Sequence, residues 1–232
     1  MNNSPLTPET QDELLIQIRT AHRLLAAYYQ RLLPSIEKIA NQLGSDFYFW
    51  EPRKFARPAS RNSNPFSKWA WDMLPAMSAI YVFKNINNES SITIDDFLIS
   101  FYVDSDTGVD EEEMKRGEMD GLALSIPVTQ AQSMVKIGIY TPFKNENLHW
   151  HSSIWCQGAF PDYQAFDAAH NSAKDINGQP IVSSGFEVSV SQLMTEDGIQ
   201  QLTAKVEQCL ARTILHAKSI ATVDVTLRTH LS

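Results

Sequence analysis

"ITIDDFLISFYV", residues 92–103, decides the fold. Phe97, Ile99, Phe101 and Val103 stand two apart, the period of a strand whose alternate side chains share one face. Working outward, the same period recurs. "AIYVFK" (79–84) is a short unbroken apolar run, as a buried strand is. Leu122, Leu124, Ile126 and Val128 alternate, as do Val135, Ile137 and Ile139. Leu148, Trp150 and Ile154 share a face, as do Phe186, Val188 and Val190, and Val223, Val225, Leu227 and Leu231 predict a last strand. The connections "KNINNESS" (84–91) and "TPFKNENL" (141–148) carry Asn-rich turn chemistry, and short links join antiparallel neighbours.

At both ends of the chain the period changes to that of a helix. Leu15, Ile18, Leu25, Tyr29, Leu32, Ile36, Ile39 and Leu43 fall at alternating steps of three and four, with His22 filling one gap. Gly44 suits the left-handed position that ends a helix, and Pro34 is expected to kink the rod or split it. Leu14, Ala21, Tyr28, Leu33 and Ala40 widen the stripe, which favours packing on a sheet over a coiled-coil seam. Ile199, Leu202, Val206, Cys209, Leu210, Thr213 and Ala217 form the face of a second helix, with Thr195 as its cap and Lys218 at its end. The expected fold is α+β: an antiparallel sheet of about six or seven strands, covered on one face by long N-terminal and C-terminal helices. No linker or repeat divides the chain, so residues 1–232 make a single domain: helix 9–43, loop 44–75, sheet 78–191, helix 195–218 and strand 221–231.

Composition narrows the classes. Of 232 residues, 43% are hydrophobic and 20% charged, the profile of a globular protein. The N-terminus shows no basic and apolar signal pattern, nothing approaches the roughly 18 consecutive apolar residues of a membrane span, and Cys156 and Cys209 are too few for a disulfide framework. A cytoplasmic location without membrane contact is expected. The net charge of −8 is uneven: residues 76–120 carry three Lys/Arg against eleven Asp/Glu, while residues 1–75 carry nine against seven. That distribution disfavours a broad nucleic-acid surface but leaves room for a local basic site. Walker, GxGxxG, HExxH, GxSxG and CxxC patterns are absent, which lowers the expectation of an enzyme.

Three regions carry candidate chemistry. In "YVDSDTGVDEEEMKRGEMDG" (102–121), Asp104, Asp106 and Asp110 are spaced to aim oxygens at a hard cation, but Gly108 and Lys115 break the EF-hand pattern. A solvated loop leading into a short helix, Glu111 to Arg116, is favoured there. In "FYFWEPRKFARPASRNSNPFSKWAW" (47–71), Arg53, Lys54, Arg57 and Arg61 are interleaved with Trp50, Trp69 and Trp71. Such a mixture binds anions or a protein partner; the competing outcome has its rings pinned to the core and its cations paired with the acidic segment. In "LHWHSSIW" (148–155), His149 and His151 line one strand face, where two imidazoles hold a transition metal if Asp104, Asp106, Asp224 or His230 comes near. Cys156 and Cys209 read as buried and inert.

The leading expectation is a non-enzymatic binding or accessory protein, without a required cofactor, that takes an anionic ligand or protein partner at Trp50, Arg53, Lys54, Arg57, Arg61, Trp69 and Trp71. The alternatives are a metal-dependent hydrolase or nuclease built on His149 and His151 with a divalent ion, and a homo-oligomer formed through helix 11–43.

Overall fold

The computed structural model describes residues 8–54, 74–109, 121, 124–166, 174–175 and 178–229. The elements run α1 (Pro8–Gln42), β1 (Asp46–Pro52), β2 (Ser78–Asn85), β3 (Phe97–Asp104), β4 (Met134–Pro142), β5 (Gln164–Ala165), β6 (Lys174–Asp175), β7 (Ile181–Ser189) and α2 (Glu196–Thr229). Five long strands form one antiparallel sheet in the order β1-β2-β3-β4-β7. The two-residue segments β5 and β6 add to β7, β5 in parallel. The architecture is the expected α+β sheet with N- and C-terminal helices, built on five long strands instead of six or seven.

β3 explains why both faces must be covered. Phe97, Ile99, Phe101 and Val103 point to one side, Leu98 and Ser100 to the other, and all are buried. On the first side Val135, Ile137, Ile139, Phe186 and Val188 join them against Leu32, Ile36 and Ile39 of α1 and Leu202, Val206 and Leu210 of α2. On the second side Ile80, Val82, Leu98, Tyr140 and Ile181 pack under Ile92, Trp150 and Ile154. The helices therefore lie on one face, as expected, but the opposite face is also roofed.

Several expected elements are corrected. Residues 46–52, read as the start of a loop, are the edge strand β1. The alternation at 122–128 makes no strand over its described part: Pro127 accepts turn bonds from Gln130 and Ala131, and Val128 is 83% exposed. A proline inside a run removes a ladder donor, which alternation alone does not reveal. Residues 150–155 form a π-helical turn in place of a strand; Trp150 and Ile154, four apart, fit a helix as well as they fit alternation. The last strand, 221–231, is overturned as far as Thr229, because α2 runs on through it. No Gly or Pro follows Gly198, and an established helix propagates cheaply until something stops it.

Helix ends follow their local chemistry. Gly44 adopts φ 71 after α1, and its carbonyl accepts from Asn85 Nδ2 at 2.7 Å. Thr195 Oγ1 accepts from Gly198 N at 3.2 Å at the start of α2. α1 is not split at Pro34: Ser35 Oγ donates to Arg31 O and Leu193 O, and Leu32, Ile36 and Ile39 anchor the turns on either side. Lys218 lies inside α2, where it pairs with Asp95 at 2.6 Å. The earlier part of the α1 stripe does not pack on the sheet as expected; Leu15, Ile18 and Leu25 are exposed.

Phe101 sits on the central strand, fully buried, with its ring edge-on to Phe83 at 5.8 Å. Phe101→Ala is expected to cost about 3–5 kcal/mol in chemical denaturation, the usual range for emptying a buried aromatic site.

Candidate functional site

Of the residues expected to form a single basic-aromatic site, the described ones are split between the two sides of the sheet, Trp50 on one and Arg53 and Lys54 on the other. A β-bulge between Phe47 and Phe49 causes this. Phe47 faces Phe83, the extra residue shifts the register, and Trp50 then faces Tyr81. Three residues apart, Phe47 and Trp50 would point to opposite faces of a regular strand; the bulge puts both on the helix side. Phe49 and Glu51 go to the other side, where Phe49 meets Trp155 and Glu51 accepts from Trp155 Nε1 at 3.3 Å.

On the helix side an open apolar groove of about 450 Å³ lies between α1 and the β1–β2 edge. Leu33, Pro34, Ile36, Phe47, Trp50, Ala76, Tyr81 and Phe83 line it, and Glu37 is the one charged residue among the described lining. Trp50 stacks near Tyr81, centroids 6.5 Å apart, yet stays 39% exposed, and Phe47 is 51% exposed. Burial pushes the Tyr81 hydroxyl up to about 12, with Tyr29 and Tyr28 adding to the effect. Beside the groove β1 pairs only with β2 among the described residues, so its outer edge is unmatched.

On the other face the cations are engaged. Lys54 Nζ donates to Asp104 Oδ2 at 2.8 Å and to Val109 O at 2.9 Å, with both side chains of the ion pair only 7% exposed. Arg53 reaches Glu51 at 3.5 Å and lies 4.4 Å over the Phe160 ring. So Lys54 is no free anion receptor, and Asp104 is a counter-ion to Lys54. Asp106 accepts from Gly108 N at 2.8 Å and closes a local turn. Arg57, Arg61, Trp69, Trp71, Asp110 and the 111–116 segment lie outside the described residues.

Behind Arg53, Tyr140 and Tyr163 bury their hydroxyls over a floor made by Gly138, where a Cβ would meet Ser100 Oγ at 2.7 Å and Tyr140 Oη at 3.0 Å. Burial, with the neighbouring Tyr163 phenol adding to it, holds Tyr140 well above its ordinary value; burial takes Tyr163 to about 12.

The histidines are not strand neighbours on an open face. His149 Nδ1 caps the π-helical turn by accepting from His151 N at 3.2 Å. His151 packs edge-on to Phe49 at 4.9 Å. Since Phe49 is matched through Val82 to Ser100, Asp104 lies four residues further along β3, more than about 13 Å away. Neither Asp104 nor Asp106 joins the imidazoles, and no group of three or more metal-ligating side chains occurs among the described residues. Asp224 belongs to α2, and His230 lies outside the described residues. Beside His151 stands a contact that the sequence reading missed: Cys156, expected buried, is exposed with Sγ 3.7 Å from His151 Nδ1. Cys209 is buried, as expected.

Residues 8–214 match the family model described as PM0109. The chain belongs to the PM0109 family. No curated protein and no solved structure matches it. No described helix of this PM0109 family member is long and apolar enough to cross a membrane.

The Lys54–Asp104 pair gives one test. Lys54→Met leaves the buried Asp104 carboxylate uncompensated and is expected to cost about 3 kcal/mol or more in urea denaturation, while Lys54→Met with Asp104→Leu recovers most of it. Alkali is the second test. Below pH 10 these phenols are neutral in both folded and unfolded chains; above it the unfolded chain ionises while folded Tyr29, Tyr81 and Tyr163 hold to about 12. Stability therefore falls as pH rises from 10 through 12, and tyrosinate absorbance from these residues appears together with loss of circular dichroism.

Proposed function

We propose that the protein is a non-enzymatic binding or accessory protein, and that it takes an extended apolar segment of a protein partner in the groove at Trp50. One observation carries this: a large aromatic stays exposed at the mouth of an apolar groove, next to a strand edge that no other described residue pairs. Tryptophan and tyrosine in a pocket are the residue types that anchor interfaces, and an open edge accepts an added strand whose alternate side chains enter the groove. Glu37 at the groove and the net charge of −8 favour a segment flanked by basic residues. An anionic ligand is the weaker choice, because Lys54 and Arg53 already have partners. Two free cysteines suit a reducing cytoplasm.

Fluorescence anisotropy with labelled peptides of alternating apolar residues tests the assignment. Lys-flanked peptides are expected to bind more tightly than Glu-flanked ones. Trp50→Ala should weaken them by about 2 kcal/mol, the size of an anchor residue, without altering the circular dichroism. Equal affinity for wild type and Trp50→Ala, or tighter binding of the acidic peptides, removes the groove from this role.

A further inference from the structure

The stripe of α1 continues in strict three-four steps past the last residue that touches the sheet. Tyr28, whose hydroxyl meets Ser105 Oγ at 3.1 Å, marks the end of contact, and every described side chain from Thr10 to Ala27 is exposed. Leu15 is 48% and Ile18 43% exposed, although they occupy the same stripe that Leu32, Ile36 and Ile39 bury further on. In heptad terms Leu15, His22 and Tyr29 are a positions, and Gln11, Ile18 and Leu25 are d positions.

We infer that this exposed half of α1 pairs antiparallel with its counterpart in a second copy of the chain. The charges select both the occupant and the direction. Asp12 and Arg19 both fall at e positions, and antiparallel helices bring e against e. Setting Leu15 opposite Ile18 of the partner subunit brings Asp12 against Arg19 of the partner subunit, twice by symmetry. The same register sets Leu14 opposite the partner's Ala21, keeping that flank apolar. Gln11 comes opposite the partner's His22, a polar layer at each end that penalises a slipped register. A parallel pair would place Arg19 beside Leu14 and leave both charges unmatched. Asp12 and Arg19 make no ion pair among the described residues. The pairing covers roughly 1,000 Å² in total, the lower limit of a specific interface, so a dimer of modest affinity is expected.

Sedimentation equilibrium of the full chain, up to concentrations on the order of 100 µM where a micromolar dimer is saturated, tests this. Wild type should shift from monomer to dimer. Ile18→Asp should abolish the shift, while Ile16→Asp, equally solvent-facing but off the stripe, should retain it. Asp12→Arg and Arg19→Asp should each weaken the dimer about tenfold, and an equimolar mixture of the two should form a heterodimer at least as tight as wild type. The inference is overturned by a wild type that stays monomeric, including one that binds anionic phospholipid vesicles instead. An Ile18→Asp protein that still dimerises, or a mixture no tighter than either variant alone, overturns it equally.

Discussion

A strand of eight or nine residues spans about 28 Å, whereas a 35-residue helix is about 52 Å long, and this mismatch governs what the molecule leaves in water. The sheet can bury only about half of each long helix. For α1 the buried half is the C-terminal one, from Leu32 onward; for α2 the buried positions among the described side chains run from Ile199 to Ala217. The pairs Lys38–Glu196 and Gln42–Thr203 show the helices running in the same direction along the sheet, offset in register. The exposed end of α1 consequently leaves at the Ser105 end of β3, while α2 passes Asp95 at the other. An apolar stripe prolonged beyond its sheet is a cost with no return inside one chain, and that directs attention to a second copy.

The other constraint is the bulge in β1. One extra residue divides a short aromatic run between two surfaces: Phe47 and Trp50 line the groove beneath α1, and Phe49 and Glu51 join the Trp155 side. Bulges and a terminal proline also blunt an edge strand against indiscriminate pairing, so among the described residues β1 is open only over a short stretch. The same division moves Arg53 and Lys54 away from Trp50. Two regions that look like separate binding sites in the sequence, the basic segment and the acidic one, meet at Lys54 and Asp104 and neutralise each other. That is the pairing weighed in the sequence as the competitor to ligand binding, and it holds for this cation.

What was legible in the sequence was periodicity with strong burial behind it. The positions from Phe97 to Val103, from Val135 to Ile139 and from Ile199 to Ala217 are buried as their spacing predicts, and Gly44 and Thr195 end and begin helices as their chemistry predicts. The failures are equally physical. "DFYFWEP" hides a strand because four successive aromatics straddle a bulge and show no period of two. Val223, Val225 and Leu227 alternate, yet nothing interrupts the preceding helix. The contact between His151 and Cys156 arises from a π-helical turn, whose wider ring no alternation or 3.6-residue pattern encodes. The groove was missed because it is made by Leu33 and Glu37 with Trp50 and Tyr81, residues distant in sequence whose meeting depends on register.

The two surfaces on α1 are compatible, and their combination has a physical consequence. In the antiparallel pair the overlap ends near Leu25, and the groove begins at Leu33, about 12 Å further along the helix. The groove therefore stays open when the helices pair. The two-fold axis passes between Leu15 and Ile18, about 25 Å from Leu33, so the two grooves of a dimer lie about 50 Å apart. That separation exceeds what a short extended peptide spans, since fifteen residues at about 3.3 Å each are needed to bridge it. A dimer of this form holds two separate segments, or two stretches of one long partner joined by a linker of matching reach, and gains avidity only in the second case. Weak self-association and a shallow groove thus reinforce one another on a long or repetitive partner, and act independently on a short one.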